Sequence, residues 1–85
     1  MKTFRVWIRP LHNVCRVRVD GIQNARWLLT RLSRSFVFKN SEPMEDDEKA
    51  SCSTFYVPYS SQMSHFKFER LLAGIPQVQL MPEPA

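Results

Sequence analysis

Two segments near the start of the chain, residues 3–9 and residues 14–19, alternate between apolar residues and residues that are mostly basic. Because successive side chains of a strand point to opposite faces, this alternation predicts two strands that each bury one face. Apolar side chains such as Phe4 and Val17 are expected to form the buried face. The opposite face is then expected to carry Arg5, Trp7, Arg9, Arg16 and Arg18.

Two amphipathic helices are predicted from apolar residues at helical spacing. After a break at residues 20–21, where Asp20 fits the first position of a capping box, the spacing predicts a helix that ends near residues 33–34. A second helix is predicted with Ser61 or Ser64 as its N-cap and with Gly74 at its end.

Three further strands are predicted at residues 36–39, 52–59 and 77–81. Residues 40–51, between the first two of these, are acidic and lack large apolar residues apart from Met44. Such a composition is typical of a flexible loop or of a long hairpin connection. The predicted order of elements is therefore β-β-α-β-β-α-β.

This order predicts the fold class. Without its first strand it becomes β-α-β-β-α-β, which is the split pattern of ferredoxin-like folds. We therefore expect an α+β sandwich with an extra N-terminal strand, in which an antiparallel sheet carries two helices on one face. A chain of 85 residues has room for one small domain, so residues 1–85 are expected to form a single domain.

The charged residues are distributed unevenly along the chain. Residues 1–40 contain nine basic side chains and one acid, whereas residues 41–85 contain three basic and seven acidic side chains. The formal net charge of +4 is thus the difference between a basic first part and an acidic second part. Seven of the nine basic residues are arginine, whose planar guanidinium suits phosphates and carboxylates. This distribution indicates an anionic partner.

The predicted outer face of the sheet interleaves arginine with aromatic residues. Tyr56 and Lys39 are also expected on that face, together with the five residues of the first two strands: Arg5, Trp7, Arg9, Arg16 and Arg18. This combination suits single-stranded nucleic acid, because arginine binds phosphates and aromatic rings stack on bases. The alternative is that the arginines only solvate an outer sheet face and that Trp7 packs under a loop.

Two segments resemble motifs of RNA-recognition-motif domains. Residues 17–22 resemble the first-strand motif, and the latter part of residues 54–59 is similar to the third-strand motif. The basic-Gly opening of the third-strand motif is missing, because Cys52 and Ser53 stand there, and Pro58 interrupts the strand. The resemblance covers a small part of the chain and does not assign a family.

A second candidate surface lies on the first predicted helix, where Trp27, Arg31 and Arg34 fall opposite the apolar face. A tryptophan on a solvent-exposed face is typical of a docking surface. The alternative is that Trp27 stacks under Arg31 as a local cation–π pair.

Neither metal binding nor catalysis is predicted. His12 and Cys15 have ligand-like spacing, but Cys52 and His65 stand alone and far apart in the sequence. The serines at positions 60–61, near His65, are most simply explained as a helix cap. With two glycines in the chain, no Gly-rich phosphate loop can form.

We therefore expect a small non-enzymatic binding module that needs no metal or cofactor. The expected partner is single-stranded nucleic acid, bound on the basic and aromatic sheet face. The alternative is a protein-protein interaction or homodimerisation domain that uses the same face, an edge strand or Trp27. The start of the chain has no uninterrupted apolar run of roughly 7–15 residues and no apolar run reaches ~20 residues, so a cytoplasmic protein without membrane contact is expected.

Overall fold

The alternating segments at the start of the chain form a β-hairpin in the computed structural model, which describes residues 2–35 and 44–82. Its strands are β1 (Phe4–Pro10) and β2 (Val14–Asp20), which pair antiparallel. The residues predicted to point inward are buried, apart from Ile8, which is half-buried: Phe4, Val6, Cys15, Val17 and Val19. The sequence therefore correctly predicts both strands and their buried face.

Helix α1 (Ile22–Ser35) follows β2 and buries Ala25, Leu28 and Leu32. The chain enters it through Gly21, whose φ of +93° favours glycine. The Asp20 carboxylate accepts hydrogen bonds from the Arg5 guanidinium. These are not the contacts of the predicted capping box. The strand predicted at residues 36–39, with Lys39, and the first part of the acidic loop lie outside the described residues.

The acidic segment contains a strand that the sequence did not predict. β3 (Glu45–Asp47) pairs antiparallel with β4 (Cys52–Pro58) through a turn at residues 48–51. Within the turn, the Asp47 carboxylate accepts a hydrogen bond from the Ala50 backbone N–H. An edge strand of a hairpin needs backbone pairing but no apolar face, so its exposed acidic side chains give no alternating signal.

Helix α2 (His65–Ala73) begins at the N-cap Ser64, whose hydroxyl accepts a hydrogen bond from the Lys67 backbone N–H. Of the two residues predicted as the N-cap, Ser61 and Ser64, it is therefore Ser64 that caps the helix. The helix ends at Gly74 as predicted, and a short turn leads into β5 (Val78–Met81).

Within the described residues, five strands form one mixed sheet in the order β3-β4-β2-β1-β5. β1 lies between β2 and β5 and pairs parallel with β5, from Phe4 beside Val78 to Trp7 beside Met81. The α+β class is confirmed, but the prediction of a fully antiparallel sheet is wrong and the ferredoxin-like topology is not confirmed. Alternation along a strand indicates which face is buried, but it does not indicate which strand lies beside it.

Both helices pack on the same face of the sheet, where one hydrophobic core joins them to the strands. Leu28 and Leu32 of α1 meet Phe55 of β4 in this core, to which α2 adds Phe68 and Leu72. Burial of these side chains is the main source of stability for so small a fold. Among the described residues, no helix is long and apolar enough to cross a membrane.

Candidate functional site

The outer face of the sheet, opposite the two helices, carries the arginines and aromatic residues that the alternation predicts. Arg9 of β1 lies directly opposite Arg16 of β2, and Trp7 lies opposite Arg18. Tyr56 of β4 is the neighbour of Arg16 on its other side. Because cross-strand neighbours have Cβ atoms about 5 Å apart, these side chains share one surface. We call these five residues the basic–aromatic face: Trp7, Arg9, Arg16, Arg18 and Tyr56.

Arg5 lies on the same side of the sheet, but its charge is partly neutralised. Its Nε and Nη2 atoms donate to one carboxylate oxygen of Asp20, at 3.1 and 2.8 Å. Its guanidinium carbon lies 5.5 Å from the centre of the Trp7 ring, within the range of a cation–π contact. Arg5 therefore helps to hold Trp7 in place and contributes less positive charge than the sequence suggests.

The acidic strand β3 bounds the outer side of the sheet. Glu45 and Asp47 point to this outer side, as their register with β4 requires. Asp46 points the other way, where it accepts a hydrogen bond from the Ser53 hydroxyl and lies 3.6 Å from Arg26 Nη2. The outer side is therefore acidic at the β3 edge and basic along β1 and β2.

The second predicted surface, on α1, does not form as expected. Trp27 is half-buried and packs against the hydrophobic core, with its ring 5.8 Å from Phe4 in an edge-to-face arrangement. Trp27 is therefore only partly exposed, because Phe4 fills the space on one side of its ring. Arg31 and Arg34 are exposed on α1. Because α1 packs on the opposite face of the sheet, the sheet separates these two residues from the basic–aromatic face.

The structure brings together three residues that the sequence reasoning did not combine. The Tyr59 hydroxyl lies 2.6 Å from His65 Nδ1, and His65 Nε2 lies 3.4 Å from a carboxylate oxygen of Glu69. His65 and Glu69 are four residues apart on α2, so this spacing could have revealed their contact. The approach of Tyr59 depends on the loop before α2 and gives no signal in the sequence.

The chemistry of this cluster follows from the protonation of Tyr59. Burial raises the pKa of Tyr59 well above its ordinary value, and the neighbouring Cys15 adds to the shift. Tyr59 therefore stays protonated. If its hydroxyl donates to His65 Nδ1, a neutral imidazole carries its proton on Nε2, toward Glu69. A tyrosine with a raised pKa is a poor nucleophile, so this chain of contacts shares only its connectivity with a catalytic triad.

The residues considered for a metal site do not come together. Cys15 and Cys52 are both buried, and no disulfide joins them. Within residues 2–35 and 44–82, no group of three His, Cys, Asp or Glu side chains lies close enough to hold a metal ion.

No protein-family model, curated protein or solved structure matches the chain. A functional proposal therefore rests on the residues and contacts of the structure itself.

Proposed function

We propose that this protein is a non-enzymatic binding module that binds single-stranded nucleic acid on its basic–aromatic face. The supporting observation is the register of the β1–β2 hairpin, which sets Arg9 directly opposite Arg16 and Arg18 opposite Trp7. Like charges directly opposite each other on a sheet are destabilising. An anionic backbone that bridges the two arginines carries the opposite charge and offsets this repulsion.

The aromatic residues supply the second part of the proposal. Trp7 of β1 and Tyr56 of β4 lie on opposite sides of β2, which carries Arg16 and Arg18, and both rings are half-buried on the outer face. Rings held at a surface in this way offer stacking platforms for bases, and stacking tolerates any base. Binding is therefore expected to depend strongly on salt and little on sequence.

A charge-matched pair of variants tests this proposal. A fluorescently labelled 12-nucleotide oligo(U) is titrated with the protein at 50 mM salt, and its anisotropy is measured. Arg9→Glu with Arg16→Glu is expected to abolish measurable binding, because it places two acids on the face. Arg31→Glu with Arg34→Glu makes the same change in net charge on α1 and is expected to retain most of the affinity.

Two results contradict the proposal: an unmodified protein that does not bind the oligonucleotide at low salt, and equal losses in the two variants. The second result would mean that net charge alone drives a non-specific attraction.

The alternative function is association with an acidic protein surface, including a second copy of this chain. One observation favours it, because the exposed β3 strand offers three consecutive acids, Glu45–Asp47. Sedimentation equilibrium at low and high salt distinguishes the two functions. A dimer at low salt that dissociates on addition of salt supports the alternative, whereas a monomer at both salt concentrations removes the homodimer form of it.

A further inference from the structure

A surface cavity of about 290 Å³ lies on the other side of the sheet from the basic–aromatic face, at its β5 end. Four of its lining residues are apolar and come from β1, β5 and the residue after β5, while two polar residues come from the first turns of α2. The lining residues are Ile8, Leu80, Met81, Pro82, His65 and Glu69. The cavity therefore has an apolar floor and one polar wall.

The polar wall contains the carboxylate of Glu69 beside the imidazole of His65. The Tyr59 hydroxyl lies 2.6 Å from His65 Nδ1, and His65 Nε2 lies 3.4 Å from one oxygen of the Glu69 carboxylate. This contact involves one oxygen of the Glu69 carboxylate, and Glu69 also lines the cavity. The second oxygen can accept a hydrogen bond from a group inside the cavity.

An aliphatic stem that ends in a cation fits both parts of this lining. The methylene groups of lysine and arginine pack on apolar surfaces while the charged end reaches a polar partner. A hydrogen bond between a cation and a carboxylate is about twice as strong as one between neutral groups. A carboxylate ligand, in contrast, would be repelled by Glu69.

Within residues 2–35 and 44–82, no further strand pairs with the edge of the sheet beside the cavity. Among the described residues, β5 pairs only with β1, and Gln77 directs its carbonyl to the Phe4 backbone N–H. Because alternate residues of a strand direct their backbone groups to opposite sides, Leu80 directs its N–H and C=O away from β1, toward the open edge. The Leu80 side chain meanwhile lines the cavity.

The two edges of the sheet differ in a way that favours β5 as the pairing edge. β3 carries three consecutive acids, whereas β5 has the uncharged sequence Val78–Met81. Charged residues on an edge strand oppose pairing with another chain, and an uncharged edge lacks this protection.

We propose that the β5 edge binds an extended peptide as a sixth strand and that a lysine or arginine side chain of this peptide occupies the cavity. The peptide residue that pairs with Leu80 places its side chain on the same face as Leu80, above the cavity. Backbone hydrogen bonds to Leu80 then give affinity, and Glu69 gives specificity for the basic side chain.

The test uses the ¹⁵N-labelled full chain and a blocked peptide, acetyl-Thr-Val-Lys-Val-Thr-amide, titrated by NMR. The peptide is expected to shift the Leu80 amide and the His65 ring signals, with a millimolar dissociation constant. Replacement of its lysine by norleucine keeps the stem without the charge and is expected to weaken binding about fivefold. N-methylation of the lysine backbone nitrogen removes a hydrogen-bond donor and is expected to weaken binding about as much.

The variant Glu69→Gln is expected to make the lysine and norleucine peptides bind equally. Glu45→Gln, which removes one charge from the opposite edge of the sheet, is expected to preserve the difference. The proposal is overturned if a peptide with glutamate in place of lysine binds as well, if the Leu80 amide does not shift, or if Glu69→Gln has no effect. It is also overturned if n-butylamine alone binds as tightly as the peptide, because the cavity would then be a small-molecule site that needs no added strand.

Discussion

The salt dependence of oligonucleotide binding can be worked out from the outer face of the sheet. Arg9, Arg16 and Arg18 lie together on β1 and β2, while the guanidinium of Arg5 is held by the Asp20 carboxylate. If each of the three arginines neutralises one phosphate, the logarithm of the binding constant should fall with the logarithm of salt concentration with a slope of about −2.1. Affinity should then fall roughly 20-fold between 50 and 200 mM salt.

Two variants change this slope in opposite directions. Arg9→Gln with Arg16→Gln leaves one phosphate contact, so the slope should become about −0.7. Asp20→Asn releases Arg5 from its ion pair, so the slope should steepen to about −2.8 and binding at 50 mM salt should tighten. The fold should tolerate Asp20→Asn, because an exposed ion pair such as this one contributes at most about 1 kcal/mol.

The assay measures the anisotropy of the labelled oligo(U) at five salt concentrations, and circular dichroism checks that each variant folds. Arg31→Gln with Arg34→Gln, on α1, removes the same two charges and should keep the slope of the unmodified protein. The reasoning is refuted if the two double variants give the same slope, or if Asp20→Asn weakens binding. Either result would mean that the oligonucleotide does not contact the arginines of the β1–β2 hairpin.

Three further substitutions test the fold around these surfaces. Gly21→Ala should lower the free energy of unfolding by about 1–3 kcal/mol in urea denaturation, since Gly21 has a φ of +93° and an added Cβ would lie 2.6 Å from the Asn24 side chain. Ser64→Ala removes the hydroxyl that caps α2 through the Lys67 backbone N–H, and should cost about 1 kcal/mol in the same assay. Above pH 10 the unfolded state releases the Tyr59 proton while the folded state keeps it, so the free energy of unfolding falls as pH rises. Tyr59→Phe removes this proton and should therefore remove this part of the pH dependence. Melting temperatures between pH 9 and 11 should therefore fall less in the Phe variant, and an equal fall in both proteins would count against the raised pKa.

Sequence periodicity predicts the described strands whose side chains contact the core and fails where a strand has no such contact. The alternation in β1, β2 and β4 and the helical spacing in α1 and α2 all reflect contact with one core. β3 lacks such contact, since each of its residues is exposed, and only its pairing with β4 defines it. Backbone pairing leaves no mark on side-chain composition, so the sequence predicted a flexible loop or a long hairpin connection there.

The candidate sites show the same limit. Alternation alone puts Arg9 and Arg16 on the outer face, because a strand that buries its apolar side chains must expose the others. The ion pair between Arg5 and Asp20 depends on the register between two strands, which periodicity leaves open. The partial burial of Trp27 has a related cause: the helical spacing gives its direction on α1 but not the position of Phe4, which packs against its ring.

The arrangement of charge also decides what kind of assembly this sheet can form. A chain with two open edges can add strands at both and grow into a fibre, whereas a chain with one open edge can add a single partner. Here the acids of β3 protect one edge and β5 offers the other, with Pro82 directly after its last residue. Since a proline has no N–H to donate, pairing at β5 is confined to the few residues before it. An interface this short needs an anchor beyond backbone hydrogen bonds, and the cavity beside Leu80 is positioned to hold one.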